Sequence, residues 1–292
     1  MASVQRAQFR FFHRLRVRWA EVDMQKIVFN PHYLMYFDTA MSEYWRALAL
    51  PYDATMQALQ GEMFVKKAAI EFHASARLDD ALDVALQCSR IGTSSLTFSA
   101  AIFRGQEHLI SCELIYVFAD PLKQTPKPVP DALRAIMLGY EAGEQVLQVR
   151  VDSWAELQAH ATEVRSAVFL LEQKIPVEEE WDAADATAMH AVVCNRLGLP
   201  VATGRLLQPA GGEGRIGRMA VHRVLRGTGV GRTVLQALMA AARKRNDRRV
   251  LLHAQRSAEG FYARLGFAAV GEAFEEVGIE HITMLHTFSE PS

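Results

Sequence analysis

The stretch Arg18-Trp19-Ala20-Glu21-Val22-Asp23-Met24-Gln25-Lys26-Ile27-Val28-Phe29-Asn30-Pro31-His32-Tyr33 decides how the first half of this chain is read. It runs from a short loop straight into an apolar helix. Asn30 suits the N-cap and Pro31 the first helical position, because proline lacks an N–H that the first turn would leave unbonded anyway. Tyr33, Phe37, Met41, Tyr44 or Trp45, and Leu48 then recur at helical spacing, and Pro51 closes the segment. The helix is apolar round most of its girth and is therefore expected to lie buried against a sheet. Asp23, just ahead of it, sits beside backbone N–H groups able to polarise a substrate carbonyl. That arrangement suits attack on a thioester.

Working outward, Phe9–Val17 reads as a strand, and four more follow the helix: Met63–Phe72, Ala81–Ile91, Ser94–Phe103 and His108–Phe118. Leu82, Val84, Leu86 and Cys88, then Leu96, Phe98, Ala100 and Ile102, alternate with mostly polar neighbours. Gly92-Thr93 and Gly105-Gln106 are short enough for an antiparallel meander. One buried helix with a curled antiparallel sheet is an α+β arrangement. Asp120 to Pro130 holds four prolines and is irregular. Asp131 is placed to cap a last helix through Leu138, and a domain border is expected near Gly139–Gln145, dividing the chain into 1–142 and 143–292.

The second half changes character to a mixed α/β pattern. Strands are expected at Val146–Val151, Met189–Asn195, Val201–Leu207, Arg215–Val221, Val250–Ala254, Ala268–Gly271 and Ile282–His286. Helices are expected at Trp154–Glu172, at Arg232–Arg245 with Leu235, Leu238, Met239 and Ala242 on one face, and at Ser257–Leu265, ended by Gly266. Gly211-Gly212 reads as the turn before Arg215. Arg226-Gly227-Thr228-Gly229-Val230-Gly231 lies between a strand and a helix, where glycines let the backbone approach a pyrophosphate and the helix dipole favours its charge. No Gly-Lys-Ser/Thr ends the run, which excludes a Walker loop, and Thr233 and Leu235 stand where a Rossmann fingerprint needs its last glycine.

Bulk properties bound the rest. A chain of 292 residues is long for one domain, and half of them are hydrophobic, which supplies core for two. The net charge of -1 gives no field for nucleic acid or an anionic membrane. Cys88, Cys112 and Cys194 form no CxxC pair and read as reduced thiols of a cytoplasmic protein. The first eighteen residues lack the apolar run of a signal peptide or membrane span. The ten histidines show no metal spacing, so no metal is expected.

From about Arg16 to Ala132 the chain resembles hotdog-fold acyl-CoA thioesterases of the 4-hydroxybenzoyl-CoA/YbgC type. The resemblance rests on Arg18 to Asp23, on the Val28-Phe29-Asn30-Pro31-His32-Tyr33-Leu34 helix entry, on Ala76-Arg77-Leu78-Asp79-Asp80-Ala81-Leu82, and on the proline-rich exit before Asp131. It implies that Asp23 is the catalytic carboxylate, either as nucleophile through an anhydride or as base for water. It also implies a homo-oligomer, with sites at a subunit interface and amides of the helix start facing the thioester oxygen. Lys26 stands where many members carry glycine; a lysine there either crowds the pocket or recognises a negative group. Asn30 is assigned mainly to capping, and Glu21 to a solvated strand end.

From about Val146 to Thr287 the chain is similar to GNAT N-acetyltransferases, in particular the YjcF/ElaA branch. Val168-Phe169-Leu170-Leu171-Glu172-Gln173, Glu180-Trp181-Asp182-Ala183-Ala184-Asp185, Ala188-Met189-His190, Arg226-x-x-Gly229-x-Gly231, His253-Ala254-Gln255, Phe261-Tyr262-Ala263-Arg264-Leu265-Gly266-Phe267 and Gly278-Ile279-Glu280-His281 fall in order. The resemblance implies acetyl-CoA bound where two parallel strands part. Backbone groups of Met219 and Val221 would then pair with pantetheine, and Arg226, Gly227, Gly229 and Gly231 would hold the pyrophosphate. Tyr262 would protonate the departing thiolate, against the alternative of a core aromatic whose hydroxyl reaches a carbonyl. The sequence does not identify the base that serves the acceptor amine: His253, His281, Glu180 and Asp182 are candidates, each with a structural role as the alternative, while the run Glu178 to Glu180 reads as a solvated face.

The leading expectation is a bifunctional acyl-CoA enzyme, hydrolase in one half and acetyltransferase in the other. The alternatives are an acetyltransferase with a non-catalytic, dimerising hotdog half, and an acyl-CoA sensor without turnover.

Overall fold

The computed structural model describes residues 4–209 and 212–289. The chain divides into two compact units, Met1–Val146 and Leu147–Ser292.

In the first unit, α1 (Pro31–Ala47) lies against a five-stranded sheet whose order is β1-β3-β4-β5-β2: β1 (Phe11–Arg16), β2 (Glu62–Phe72), β3 (Ala81–Ile91), β4 (Ser95–Arg104) and β5 (Glu107–Ala119). Every pairing is antiparallel. The helix buries Tyr33, Tyr36, Phe37, Ala40, Met41, Tyr44 and Trp45, a stripe that supplies about 1.5–3 kcal/mol for each large side chain removed from water. Tyr44 is the hub, with its ring edge-on to Phe11, Phe98 and Tyr140 at 5.4–5.5 Å. Its hydroxyl donates to Glu141, which also accepts the Cys88 N–H at 2.9 Å. The opposite face of α1 stays open, with Leu34 and Met35 exposed. The stripe is thus narrower than the apolar girth suggested. Two further helices complete the unit, α2 (Tyr52–Leu59), which the sequence reading missed, and α3 (Asp131–Glu141), preceded by Pro130 rather than capped by Asp131.

The second unit is a seven-stranded sheet, order β11-β12-β10-β9-β8-β7-β6. Its strands are β6 (Leu147–Ser153), β7 (Met189–Asn195), β8 (Pro200–Leu207), β9 (Glu213–Val221), β10 (Arg249–Gln255), β11 (Ala268–Glu276) and β12 (Ile279–Thr287). The expected turn at Gly211-Gly212 falls partly outside the described residues. Helices are α4 (Trp154–Arg165), α5 (Val177–Glu180), α6 (Val230–Lys244) and α7 (Glu259–Ala263). The helix expected to continue to Glu172 turns at Arg165 into a π-helical segment, Ser166–Glu172. Such turns re-aim the side chains that follow them. The helix expected at Ser257 opens instead as a short 3₁₀ turn, Arg256–Ala258, before α7.

β9 and β10 are the sheet's parallel pair, and their ladder runs only from Arg249↔Glu213 to Leu252↔Ile216. The reason lies on the other side of β9. There Arg205 faces Gly217 and Thr203 faces Ala220, so Gly204 alone opposes Arg218 and Met219 in a β-bulge. Arg218 takes φ 50°, a left-handed conformation that costs a non-glycine residue about 1–2 kcal/mol. Its guanidinium offsets that cost by donating to the backbone carbonyls of Glu179 and Glu180 at 3.1 Å. Opposite it, Gly204 has no room for a side chain, since a Cβ there would stand 2.7 Å from Met219 Sδ and 2.8 Å from Leu238 Cδ1. The bulge turns β9 away from β10, and the two strands splay.

Candidate functional sites

Asp23 sits in a tight loop closed by the bridge between Val22 and Val28. Its N–H donates to the Ile27 carbonyl and its carbonyl accepts the Lys26 N–H, each at 2.9 Å, while the carboxylate accepts the Gln25 N–H at 2.8 Å. One carboxylate oxygen is therefore held by the backbone, and the side chain is half-buried. Lys26 takes φ 61°, the left-handed region that glycine enters without cost, and its side chain is exposed. That geometry gives a backbone reason for glycine at this turn.

Glu21 corrects the expectation of a solvated strand end. It is 3% exposed and accepts from the Arg18 N–H at 2.8 Å, the Arg18 Nε at 2.7 Å and the Tyr36 hydroxyl at 2.7 Å. Burial alone would favour its neutral acid, but these donors outweigh burial and hold the carboxyl below its ordinary value. Burial and the Glu21 carboxylate in turn push the Tyr36 hydroxyl up. The Glu21 carbonyl accepts the Phe29 N–H, so this residue ties the loop to the helix entry.

Asn30 is corrected too. Its dihedrals, φ −46° and ψ −42°, are already helical, and its side chain makes no capping bond. A capping side chain needs the extended conformation to fold back over the first turn. The helix start offers fewer donors than the sequence suggested, because the His32 and Tyr33 N–H groups bond the carbonyls of Phe29 and Asn30. Among the described residues, the Asn30 N–H has no acceptor. Tyr33 spans the loop's far side, its hydroxyl accepting the Ala76 N–H at 3.0 Å while the Ala76 carbonyl takes the Val28 N–H.

In the second unit the splay opens a cleft of about 600 Å³ lined by Gly217, Met219, His253, Gln255, Tyr262 and Trp181 among others. Among the described residues, the side of Gly217 to Val221 that faces β10 has no strand partner. The Val221 carbonyl accepts from Arg226 Nε at 3.2 Å. Gly227 and Gly229 take φ 84° and 95°, and Gly229 is the N-cap residue of α6. Two left-handed residues ahead of a helix turn successive N–H groups to one side, where the first-turn donors of α6 add to them. Gly231 packs close, since a Cβ there would stand 3.3 Å from Val221. The Arg226 guanidinium is held by Glu172 at 2.6 and 2.8 Å. Glu172 lies in the Val168 to Gln173 motif, and its pattern alone assigns it no task.

Tyr262 is 8% exposed, and its ring stands edge-on to Phe261 and Phe267. Among the described residues its hydroxyl reaches no carbonyl or other partner. Burial pushes that hydroxyl up to about 12.

Glu178 and Glu179 are exposed, as expected of a solvated face, but Glu180 is not. It is 2% exposed and lies against the 1%-exposed guanidinium of Arg165, which also bonds Asp185 at 2.8 Å. Arg205 joins Asp185 and Asp182 at 2.8 and 2.6 Å. Burial raises the Glu180 carboxyl despite its arginines, while at Asp185 the arginines outweigh burial and lower it. Of the four residues weighed as base, Glu180 and Asp182 are thus bound up in ion pairs. His281 Nδ1 lies 2.7 Å from the Ile279 carbonyl.

Comparison with known proteins gives a separate match in each half of the chain. The thioesterase superfamily model matches residues 25–111, beginning just after Asp23, and the acetyltransferase (GNAT) domain model matches residues 158–288. The acyl-CoA thioester hydrolase YbgC of Escherichia coli O157:H7 is 29% identical over 125 residues, covering 41% of this chain and 90% of that protein. The uncharacterized N-acetyltransferase YjcF of Bacillus subtilis (strain 168) is 35% identical over 123 residues, covering 42% of this chain and 86% of its own length. The crystal structure of Escherichia coli ElaA is 30% identical with a TM-score of 0.44, over 48% of this chain and 99% of that one. Among the described residues, no helix is long and apolar enough to cross a membrane.

Proposed function

The chain belongs to the thioesterase superfamily through its amino-terminal half and to the GNAT acetyltransferases through its carboxy-terminal half, and on that premise we propose that it is a bifunctional acyl-CoA enzyme. The first half hydrolyses an acyl-CoA, with Asp23 attacking the thioester or activating water. The second transfers acetyl from acetyl-CoA to an amine. Backbone groups of Met219 and Val221 pair with pantetheine, the loop Arg226, Gly227, Gly229 and Gly231 receives the pyrophosphate, and Tyr262 protonates the leaving thiolate.

The observation that carries this reading is the splay of β9 from β10, which brings to one cleft a strand side and a tyrosine hydroxyl that both lack a partner among the described residues. A thiolate leaving into such a site needs a proton, and a hydroxyl raised to about 12 still carries one at neutral pH. For the first half the support is the backbone-held carboxylate of Asp23 with the Asn30 N–H at the helix entry, which has no acceptor among the described residues. Exposed Val65 and Phe72 on edge strand β2, with Leu34 and Met35 on α1, support a homo-oligomer formed through this half. Unpaired Cys88, Cys112 and Cys194 support a reducing compartment, the cytoplasm.

The test is release of CoA thiol from a panel of acyl-CoAs, measured with and without amines. Amine-independent release reports the hydrolase, and amine-dependent release from acetyl-CoA reports the transferase. Binding of CoA with neither release would leave a sensor instead.

A further inference from the structure

β9 and β10 part after Ile216 and Leu252, and the next residue of β10 is His253. Three side chains from three strands meet there. His253 Nδ1 stands 3.1 Å from Nη2 of Arg215 on β9 and 3.3 Å from Oε2 of Glu276 at the end of β11. Phe274 holds the imidazole edge-on, with ring centroids 4.8 Å apart. Arg215, His253 and Glu276 line the same cleft as Tyr262.

A guanidinium only donates, so its contact with Nδ1 uses the lone pair and favours the neutral ring. A carboxylate only accepts, so its contact with the same nitrogen calls for Nδ1–H and favours imidazolium. One nitrogen thus faces a partner for each protonation state. Glu180 and Asp182 lack that freedom because arginines hold them. His281 Nδ1 is engaged by a carbonyl and its ring stacks on Phe274.

We propose that His253 is the base that takes the proton lost by the acceptor nitrogen, with Arg215 and Glu276 as its positioning residues. The inference rests on the acetyl transfer proposed above. The amine nitrogen bonds to the acetyl carbon as the carbon–sulfur bond breaks. Sulfur receives the Tyr262 hydroxyl proton, and the nitrogen's proton passes to His253 Nδ1, where Arg215 gives way to Glu276. The imidazolium then releases that proton to solvent, from which the Tyr262 phenolate recovers one. Besides these groups, Arg205 on β8, Arg218 on β9, His281 on β12, Glu178, Glu179 and Glu180 on α5 and Asp182 just after it line the cleft and contribute to its field.

The experiment is the pH profile of amine-dependent CoA release by the full chain, with spermidine, L-lysine, glucosamine and an unblocked peptide as probes. The wild-type rate is expected to fall at acid pH along a limb of one proton. His253→Gln is expected to remove that limb and lower kcat by about a hundred- to ten-thousandfold, with CoA affinity unchanged. Glu276→Gln, by withdrawing support from imidazolium, moves the limb to lower pH, and Arg215→Gln, by removing a repelling cation, moves it to higher pH. A merely structural role would not shift the limb in opposite directions. Amine-dependent release with a limb that persists in His253→Gln, or limbs moving the same way in both neutralising variants, overturns the base while leaving the transferase. Wild-type protein that binds CoA yet serves none of the probes overturns the transferase reading, and the base with it.

Discussion

The guanidinium of Arg226 lies two-pronged on the carboxylate of Glu172, Nη1 to Oε1 at 2.6 Å and Nη2 to Oε2 at 2.8 Å, while its Nε donates to the Val221 carbonyl. Glu172 ends the π-helical turn, Val221 ends β9, and Arg226 opens the glycine loop ahead of α6. One side chain thereby joins three elements that border the proposed CoA site. The Arg226 hydrogen bond holds the Glu172 carboxyl below its ordinary value.

Glu172→Gln is expected to loosen the loop and weaken CoA binding severalfold, since partly exposed ion pairs contribute about 0.2–1 kcal/mol. A carboxyl with a depressed folded value stabilises above its unfolded value and loses that contribution as pH falls through the folded one. The wild-type advantage in CoA affinity should therefore be full at neutral pH and vanish at strongly acid pH. Calorimetric titration of both proteins across that range checks it.

Asp23→Asn is expected to lower thioester hydrolysis by at least about a hundredfold. The amide oxygen can still accept the Gln25 N–H, so thermal unfolding should not move. Hydrolysis that survives the change would remove Asp23 from the chemistry.

Tyr262→Phe is expected to slow acetyl transfer by about tenfold to a thousandfold while CoA affinity persists, because the hydroxyl bonds nothing among the described residues. Burial raises this hydroxyl to about 12, so it stays protonated through neutral and mildly alkaline pH. No alkaline loss of rate from its ionisation should appear in that range. Loss of CoA binding in the variant would reduce Tyr262 to a packing residue.

Lys26→Gly is expected to stabilise the first unit by up to about 1 kcal/mol, as relief of left-handed strain exceeds the added entropy of an unfolded glycine. Urea denaturation gives the difference directly. If hydrolysis of acyl-CoAs carrying a carboxylate falls selectively in the same variant, the lysine recognises charge.

Arg165→Met is expected to cost about 3–5 kcal/mol, because Glu180 and Asp185 would keep buried charge without their guanidinium. Denaturant midpoints measure this, and a neutral result would show that Arg205 and Arg218 alone compensate those acids.

Much of the architecture was legible because it follows local rules. The stripe from Tyr33 to Leu48 has helical period, and β3 and β7 carry pairs of turns at their ends, so their bounds came out as read. The failures at charged residues share one cause. Glu21 and Glu180 have environments set by partners the pattern does not name, Arg18 and Tyr36 for the first and Arg165 for the second, whereas Asn30 failed locally, by taking helical dihedrals in place of a cap. Periodicity carries no information about which charge meets which.

The amino-acid sequence by itself determined an α+β and an α/β unit, the order of their strands and longer helices, and the loops at Asp23 and Arg226. Hydrophobic period, proline and glycine act over a few residues and can be read along a line. Only the tertiary structure decided where β9 leaves β10, that Arg218 sits in a bulge opposite Gly204, and that Arg215, His253 and Glu276 meet at one nitrogen. Those outcomes join residues far apart in the chain, and their energy comes from packing and charge pairing that exist only once the sheet has closed.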